Sequence, residues 1–143
     1  MKLLFINRNS VACYAIRAAA MSRWSHVAVE LADGFVYESR MHPGVHRVSY
    51  GAAIDGAVEV GAALVACNEA TALRFAREQL GKPYDWPAIV SWFGNRDWQD
   101  PDAWWCSEYV AAIACAGFAR LVFGDQRRVT PGDLWNSPVI QRI

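Results

Sequence analysis

No stretch of this chain approaches the roughly 18 apolar residues in a row that cross a membrane. The opening Met1-Lys-Leu-Leu-Phe-Ile-Asn-Arg-Asn returns to polar residues after four apolar ones, too few for the apolar centre of a signal peptide. It reads instead as a first buried strand, and the expectation is a cytoplasmic protein with no integral membrane segment. Charge of one sign is also lacking: Lys plus Arg is 14 and Asp plus Glu is 14, so no net field argues for a nucleic-acid partner. Cysteine is sparse, at 13, 67, 106 and 115, with no C-x-x-C pair. Cys106 and Cys115 would fall on opposite faces of one helix and cannot bridge. The three histidines are 26, 42 and 46. His42 and His46 have helical metal-ligand spacing, but Pro43-Gly44 between them makes a turn, so neither a metal nor another cofactor is expected.

What is present is a greasy chain of 143 residues, 54% apolar and 20% charged, with seven tryptophans. That suffices for one domain, residues 1–143, with a sizeable core. Tryptophan suits a groove as well as a core, so some of the seven could line a site.

Residues 2–6 suit a strand. Asn9-Ser10 offers a cap for an Ala-rich helix from Val11 to Met21. After Trp24 the period changes: His26, Ala28 and Glu30 alternate with Val27, Val29 and Leu31, as in a strand. Asp33-Gly34 marks a hairpin, and Phe35-Val-Tyr-Glu-Ser39 is its second strand. Register then decides what can meet. A two-residue loop pairs Val29 with Glu38 and turns Glu38 away from His26. A three-residue loop, Ala32-Asp33-Gly34 with Gly34 left-handed, pairs Ala28 with Glu38 and puts Glu38 diagonally beside His26. The three-residue loop is preferred because Gly34 then occupies the position that demands positive φ.

Met41 to His46 reads as a turn, followed by a short strand at 46–49 and another over Val58 to Ala66. Glu69 to Leu80 has helical spacing and stops at Gly81. Lys82-Pro-Tyr-Asp-Trp-Pro87 reads as a rigid loop, with a short helix reaching Phe93 and a polar loop over 94–102. A central helix from about Trp104 to Phe118 carries Cys106 in its first turn, and Cys106, Val110, Ile113, Ala114 and Gly117 share one stripe. Thr130-Pro-Gly-Asp-Leu-Trp135 opens a last short helix. No β-α-β period recurs, so the class is α+β.

A cysteine at a helix start, a histidine on a strand and an acid phased beside it can form a nucleophile, a base and an orienting group. The helix N-terminus and a protonated His26 would both favour the Cys106 thiolate, and Glu38 would fix the imidazole. Glu30 shares the His26 face and is the rival orienter, while Glu108 lies on the far side of the helix. Tyr84 could point into a groove and help position substrate. Trp104 and Trp105 could wall the site or anchor the helix. Each residue also has an ordinary packing role.

The segments Trp24-Ser-His-Val-Ala-Val29, Val36-Tyr-Glu-Ser39, Gly81-Lys-Pro-Tyr-Asp85, Trp105-Cys-Ser-Glu-Tyr-Val110 and Thr130-Pro-Gly-Asp-Leu134 together resemble the circularly permuted branch of NlpC-type papain-like cysteine peptidases, which includes lecithin–retinol acyltransferase-like enzymes. The resemblance spans about residues 24 to 135. It implies an antiparallel sheet packed on the Cys-bearing helix, with nucleophile Cys106, base His26 and third member Glu38. The activity it implies is amide hydrolysis in cell-wall-type peptides. In the permuted branch it is acyl transfer or removal on lipids or proteins. The partner is then a small peptide, a cell-wall fragment or an acyl substrate, and a phage- or prophage-associated setting would suit such a bare domain. The competing expectation is a binding module of the same fold in which Cys106 is merely packed.

Overall fold

In the computed structural model, residues 1–85, 102–123 and 129–143 are described. The short helix and polar loop expected between 86 and 101 lie outside them.

Strand β1 (Lys2–Arg8) leads into helix α1 (Val11–Ala19), capped by Ser10, whose side chain accepts from the Cys13 N–H. Strands β2 (His26–Glu30), β3 (Val36–Arg40) and β4 (Gly44–Val48) follow, then helix α2 (Tyr50–Ile54) and strand β5 (Ala57–Leu64). Helix α3 (Glu69–Glu78), helix α4 (Cys106–Ala116), helix α5 (Pro131–Trp135) and the two-residue strand β6 (Gln141–Arg142) complete the described chain. The six strands form one sheet in the order β4-β3-β2-β1-β5-β6, and every neighbouring pair is antiparallel. The class is therefore α+β, as expected.

The alternation of side chains sorts the sheet into two faces. Leu3, Phe5, Val27, Val29 and Tyr37 project to one side and join Cys106, Tyr109, Val110 and Ile113 of α4 in the main core. Leu4, Ile6, Ala28 and Val36 project to the other side, onto Ala53 of α2. Helix α4 is anchored by polar contacts as well as by its apolar face. The Tyr109 hydroxyl donates to the Ala76 carbonyl of α3 at 2.8 Å, and Ser107 Oγ donates to the Val129 carbonyl at 2.5 Å. Cys115, on the opposite side of the helix from Cys106, is exposed, and both are free thiols.

Of the tryptophans, four fall among the described residues. Trp24 and Trp135 pack on Phe5 and on each other, and Trp104 packs on Tyr109 and Phe75. Trp105 is 3% exposed. Trp24 and Trp105 are buried, while Trp104 and Trp135 are half-buried against the core.

Two expectations shift. The turn after β3 is shorter than the pattern suggested: β4 begins at Gly44, and the whole of Gly44 to His46 is strand. Gly44 makes this possible, since its φ is +95° and a Cβ there would lie 2.4 Å from the Lys82 carbonyl oxygen. Helix α2 went unread because a single turn capped by Ser49 leaves no periodicity to detect.

Candidate functional site

The hairpin between β2 and β3 has the three-residue loop. Gly34 has φ +78°, and the Leu31 N–H donates to the Phe35 carbonyl at 3.1 Å. Val29 pairs with Tyr37 and Glu30 with Val36, so Ala28 stands opposite Glu38. This register puts His26 and Glu38 on one face, and His26 Nε2 meets Glu38 Oε2 at 2.7 Å.

The β2–β3 ladder stops after those two pairs, although both strands continue. Leu31 directs its N–H at β3, so by the period of two the N–H groups of Val29 and Val27 point the same way. The N–H groups of Val27 and Ser107 act on the Cys106 sulfur, favouring its charged form. The start of α4 thus inserts where the ladder ends. Beside this gap Ser39 Oγ donates to the Trp104 carbonyl at 2.6 Å. Cys106 belongs to the α4 side of the sheet and His26 to the α2 side, and they meet because His26 is the first residue of its strand.

With Nε2 committed to Glu38, Nδ1 is the imidazole nitrogen left for Cys106. Burial alone would discharge His26. Hydrogen bonds to Cys106 and then Glu38 outweigh it and raise its pKa to about 9. Burial would likewise push the Cys106 thiol up, but the hydrogen bond and positive charge of His26 and the two backbone donors pull it below the ordinary thiol value. Both shifts favour a thiolate facing an imidazolium.

Glu38 is fully buried and is held from three directions. Besides His26, Arg40 Nε lies 2.9 Å and His46 Nε2 3.2 Å from Glu38 Oε1. The Arg40 contact is a close ion pair rather than an aligned hydrogen bond. Burial would raise the carboxyl pKa, but His26 first, then Arg40 and His46, hold it below the usual range. His46 is fixed in turn through Nδ1 to the Gly44 carbonyl at 2.8 Å. Reading 41–46 as a turn hid this residue. In the structure a three-residue loop over 41–43 pairs Arg40 with Gly44 and so sets Glu38 directly opposite His46.

Glu30, the rival orienter, forms an ion pair with Lys2 Nζ at 3.1 Å. Tyr84 lines a cleft of about 350 Å³ together with His26, Ser25, Cys13, Arg8 and Arg40. Burial, and then the negative charges of Cys106 and Asp85, push the Tyr84 phenol well above its ordinary pKa. The hydroxyl therefore stays protonated and able to donate. Trp105 is the N-cap of α4 and supplies no side-chain cap; neither it nor Cys106 is among the described residues that line this cleft, which His26 borders. Chemically, a thiolate, an imidazolium and a buried carboxylate in series can attack an acyl carbon and return a proton to a leaving group.

No family model and no curated protein matches the sequence. Solved structures do. The metalloprotein YiiX from Escherichia coli O157:H7 (DUF1105) is similar with a TM-score of 0.77 and 18% identity, over 99% of this chain and 94% of that one. The two chains share a fold. Among the described residues no group of three or more His, Cys, Asp or Glu is arranged to hold a metal ion. The best donor set, around Glu38, already has the Arg40 guanidinium against one carboxylate oxygen, which repels a cation.

Proposed function

We propose that the protein is a cysteine hydrolase of amide bonds, built on a permuted NlpC-type papain-like fold. Cys106 is its nucleophile, His26 its acid and base, and Glu38 its orienting group. One observation carries the reading: His26 is gripped through Nε2 by buried Glu38 at 2.7 Å, and Cys106 and His26 each shift the other toward its charged form. A cysteine that merely filled the core would not collect an imidazole and two backbone donors.

The Cys106 thiolate attacks the amide carbonyl carbon, forming an S–C bond and moving an electron pair onto oxygen. The N–H groups at the start of α4 would serve as donors to the developing charge. When the C–N bond breaks, His26 gives its proton to the departing amine, leaving a thioester. His26, now neutral, takes a proton from water, and hydroxide adds to the thioester carbon. The acid departs and the thiolate re-forms against the imidazolium. Glu38 keeps the ring oriented in both halves and stabilises its charged form.

The test is to present small amide substrates, cell-wall peptides among them, and look by intact-protein mass spectrometry for an acyl adduct on Cys106. An adduct that forms and decays, and is absent in Cys106→Ala, supports the reading. Turnover that survives in Cys106→Ala sinks it. An adduct derived from acyl lipids alone would make the same site an acyltransferase or thioesterase.

A further inference from the structure

The cleft beside His26 is lined by Arg8 from the end of β1 and Arg40 from the end of β3, with Ser10, Ser25, His42 and Tyr84. No carboxylate is among its described lining residues. Glu38 lies behind this wall, fully buried. The two arginines are held side by side by one acceptor: Arg8 Nη2 donates to the Ala53 carbonyl at 2.5 Å and Arg40 Nη2 donates to the same oxygen at 2.9 Å. Arg8 Nε is fixed by the Asp55 carbonyl at 3.2 Å, and Arg40 Nε by Glu38. These contacts leave the Nη1 group of each guanidinium without a protein acceptor among the described residues. Burial and then the charge of Arg40 disfavour the charged form of Arg8, while Glu38, then Cys13, then the exposed Asp55 at the end of α2 favour it.

Two guanidinium groups held by one carbonyl, each with a further donor group and both lining an open cleft, match an oxyanion that accepts from both. We propose that this cleft is an anion-binding subsite, and that the substrate carries a carboxylate or phosphate group close to the bond attacked by Cys106. The anion would sit between like charges and relieve their repulsion. The Ala53 carbonyl fixes both arginines before it arrives, so little side-chain freedom is lost on binding. Once Cys106 is acylated its negative charge disappears, and the cleft holds the anionic portion more strongly until water releases it. This subsite rests on Cys106 being the reactive thiol, and it narrows the substrates to acidic ones.

The experiment compares alkylation of Cys106 by iodoacetate, which is anionic, and by iodoacetamide, which is neutral. Labelling is read peptide by peptide so that Cys13, Cys67 and Cys115 are scored separately. The iodoacetate-to-iodoacetamide rate ratio, divided by the same ratio for mercaptoethanol, cancels the intrinsic reactivity of the thiolate. We expect a normalised ratio of about 10 or more at low salt, falling as ionic strength rises. It should drop toward 1 in Arg8→Gln and recover in Arg8→Lys. A normalised ratio near 1 in the unsubstituted protein overturns the subsite, whatever the absolute rates. Slow labelling by both reagents overturns the hydrolase reading instead. Protection against iodoacetamide by N-acetylglutamate marks a carboxylate ligand, and protection by inorganic phosphate marks a phosphate.

Discussion

Ser39 Oγ donates a 2.6 Å hydrogen bond to the carbonyl of Trp104, 65 residues away. Ser39 follows Glu38 on β3, and Trp104 lies two residues before Cys106. One bond therefore ties the strand that carries Glu38 to the entry of the helix that carries Cys106. Ser39→Ala should cost about 1 kcal/mol of stability, read from the midpoint of urea unfolding. It should also slow Cys106 labelling at neutral pH. A stability loss with unchanged labelling would mean that α4 keeps its place without this tie.

The paired titration of Cys106 and His26 sets a window. Cys106 ionises below the ordinary range and His26 holds its proton up to about 9. Labelling by iodoacetamide should therefore stay fast well below the value near 8.5 of a free thiol. Amide hydrolysis should fall above about pH 9, where His26 loses the proton the leaving amine needs. The linkage to stability has a definite sign. The folded value of His26 lies above its unfolded value of about 6.5, so its contribution is whole below that pH and is lost as pH rises through about 9. In His26→Ala the labelling midpoint should move up to that of an ordinary thiol. Labelling that rises only above pH 8 in the unsubstituted protein would remove the activated pair.

Glu38→Gln keeps the shape of the side chain and removes its charge, leaving Arg40 and His46 facing a neutral amide. We expect kcat/KM to fall about 10²–10⁴-fold, with Cys106 still able to be acylated. Stability should drop by about 3 kcal/mol, because a buried ion pair is broken from one side. Thermal melting and steady-state kinetics on the same preparation separate the two effects. Unchanged kinetics would move the orienting role to Glu30 or to water.

Gly44→Ala tests the support of Tyr84. The added methyl would meet the Lys82 carbonyl oxygen, which accepts from the Val45 N–H at 2.9 Å, and would also force a side chain into positive φ. A loss of about 2 kcal/mol or more is expected. Segment 81–85 should also shift, changing the cleft wall at Tyr84. Amide hydrogen exchange at Val45 and over 81–85 would show it. Unaltered protection there would mean that the strand absorbs the methyl.

Much of this site is legible in the sequence because its register is local. The period of two from His26 to Glu30 and the left-handed demand at Gly34 suffice to set Glu38 beside His26. A cysteine at the start of an apolar helix is likewise visible in the pattern. What escapes is whatever depends on contact between distant segments. Arg40 and His46 reach Glu38 because β4 folds back at Gly44, a glycine whose necessity comes from Lys82, far along the chain. Trp105, whose place next to Cys106 suggested a site wall, is instead packed in the interior. Nothing in the sequence shows that the β2–β3 ladder breaks off after two pairs, since Val27 and Ser39 look as well suited to pairing as Val29 and Tyr37.

That early end of the ladder has a consequence for the order of assembly. The histidine and its acid belong to one hairpin, whose loop closes quickly, whereas the thiol must come from a helix some seventy residues further on and be held there by α3 and the Val129 segment. Until α4 seats itself in the gap, Cys106 has neither the imidazolium nor the Val27 amide and is as sluggish as any free thiol. On the proposed mechanism the reactivity of Cys106 depends on a long-range contact, so a chain in which α4 has not yet seated would carry only an ordinary thiol there.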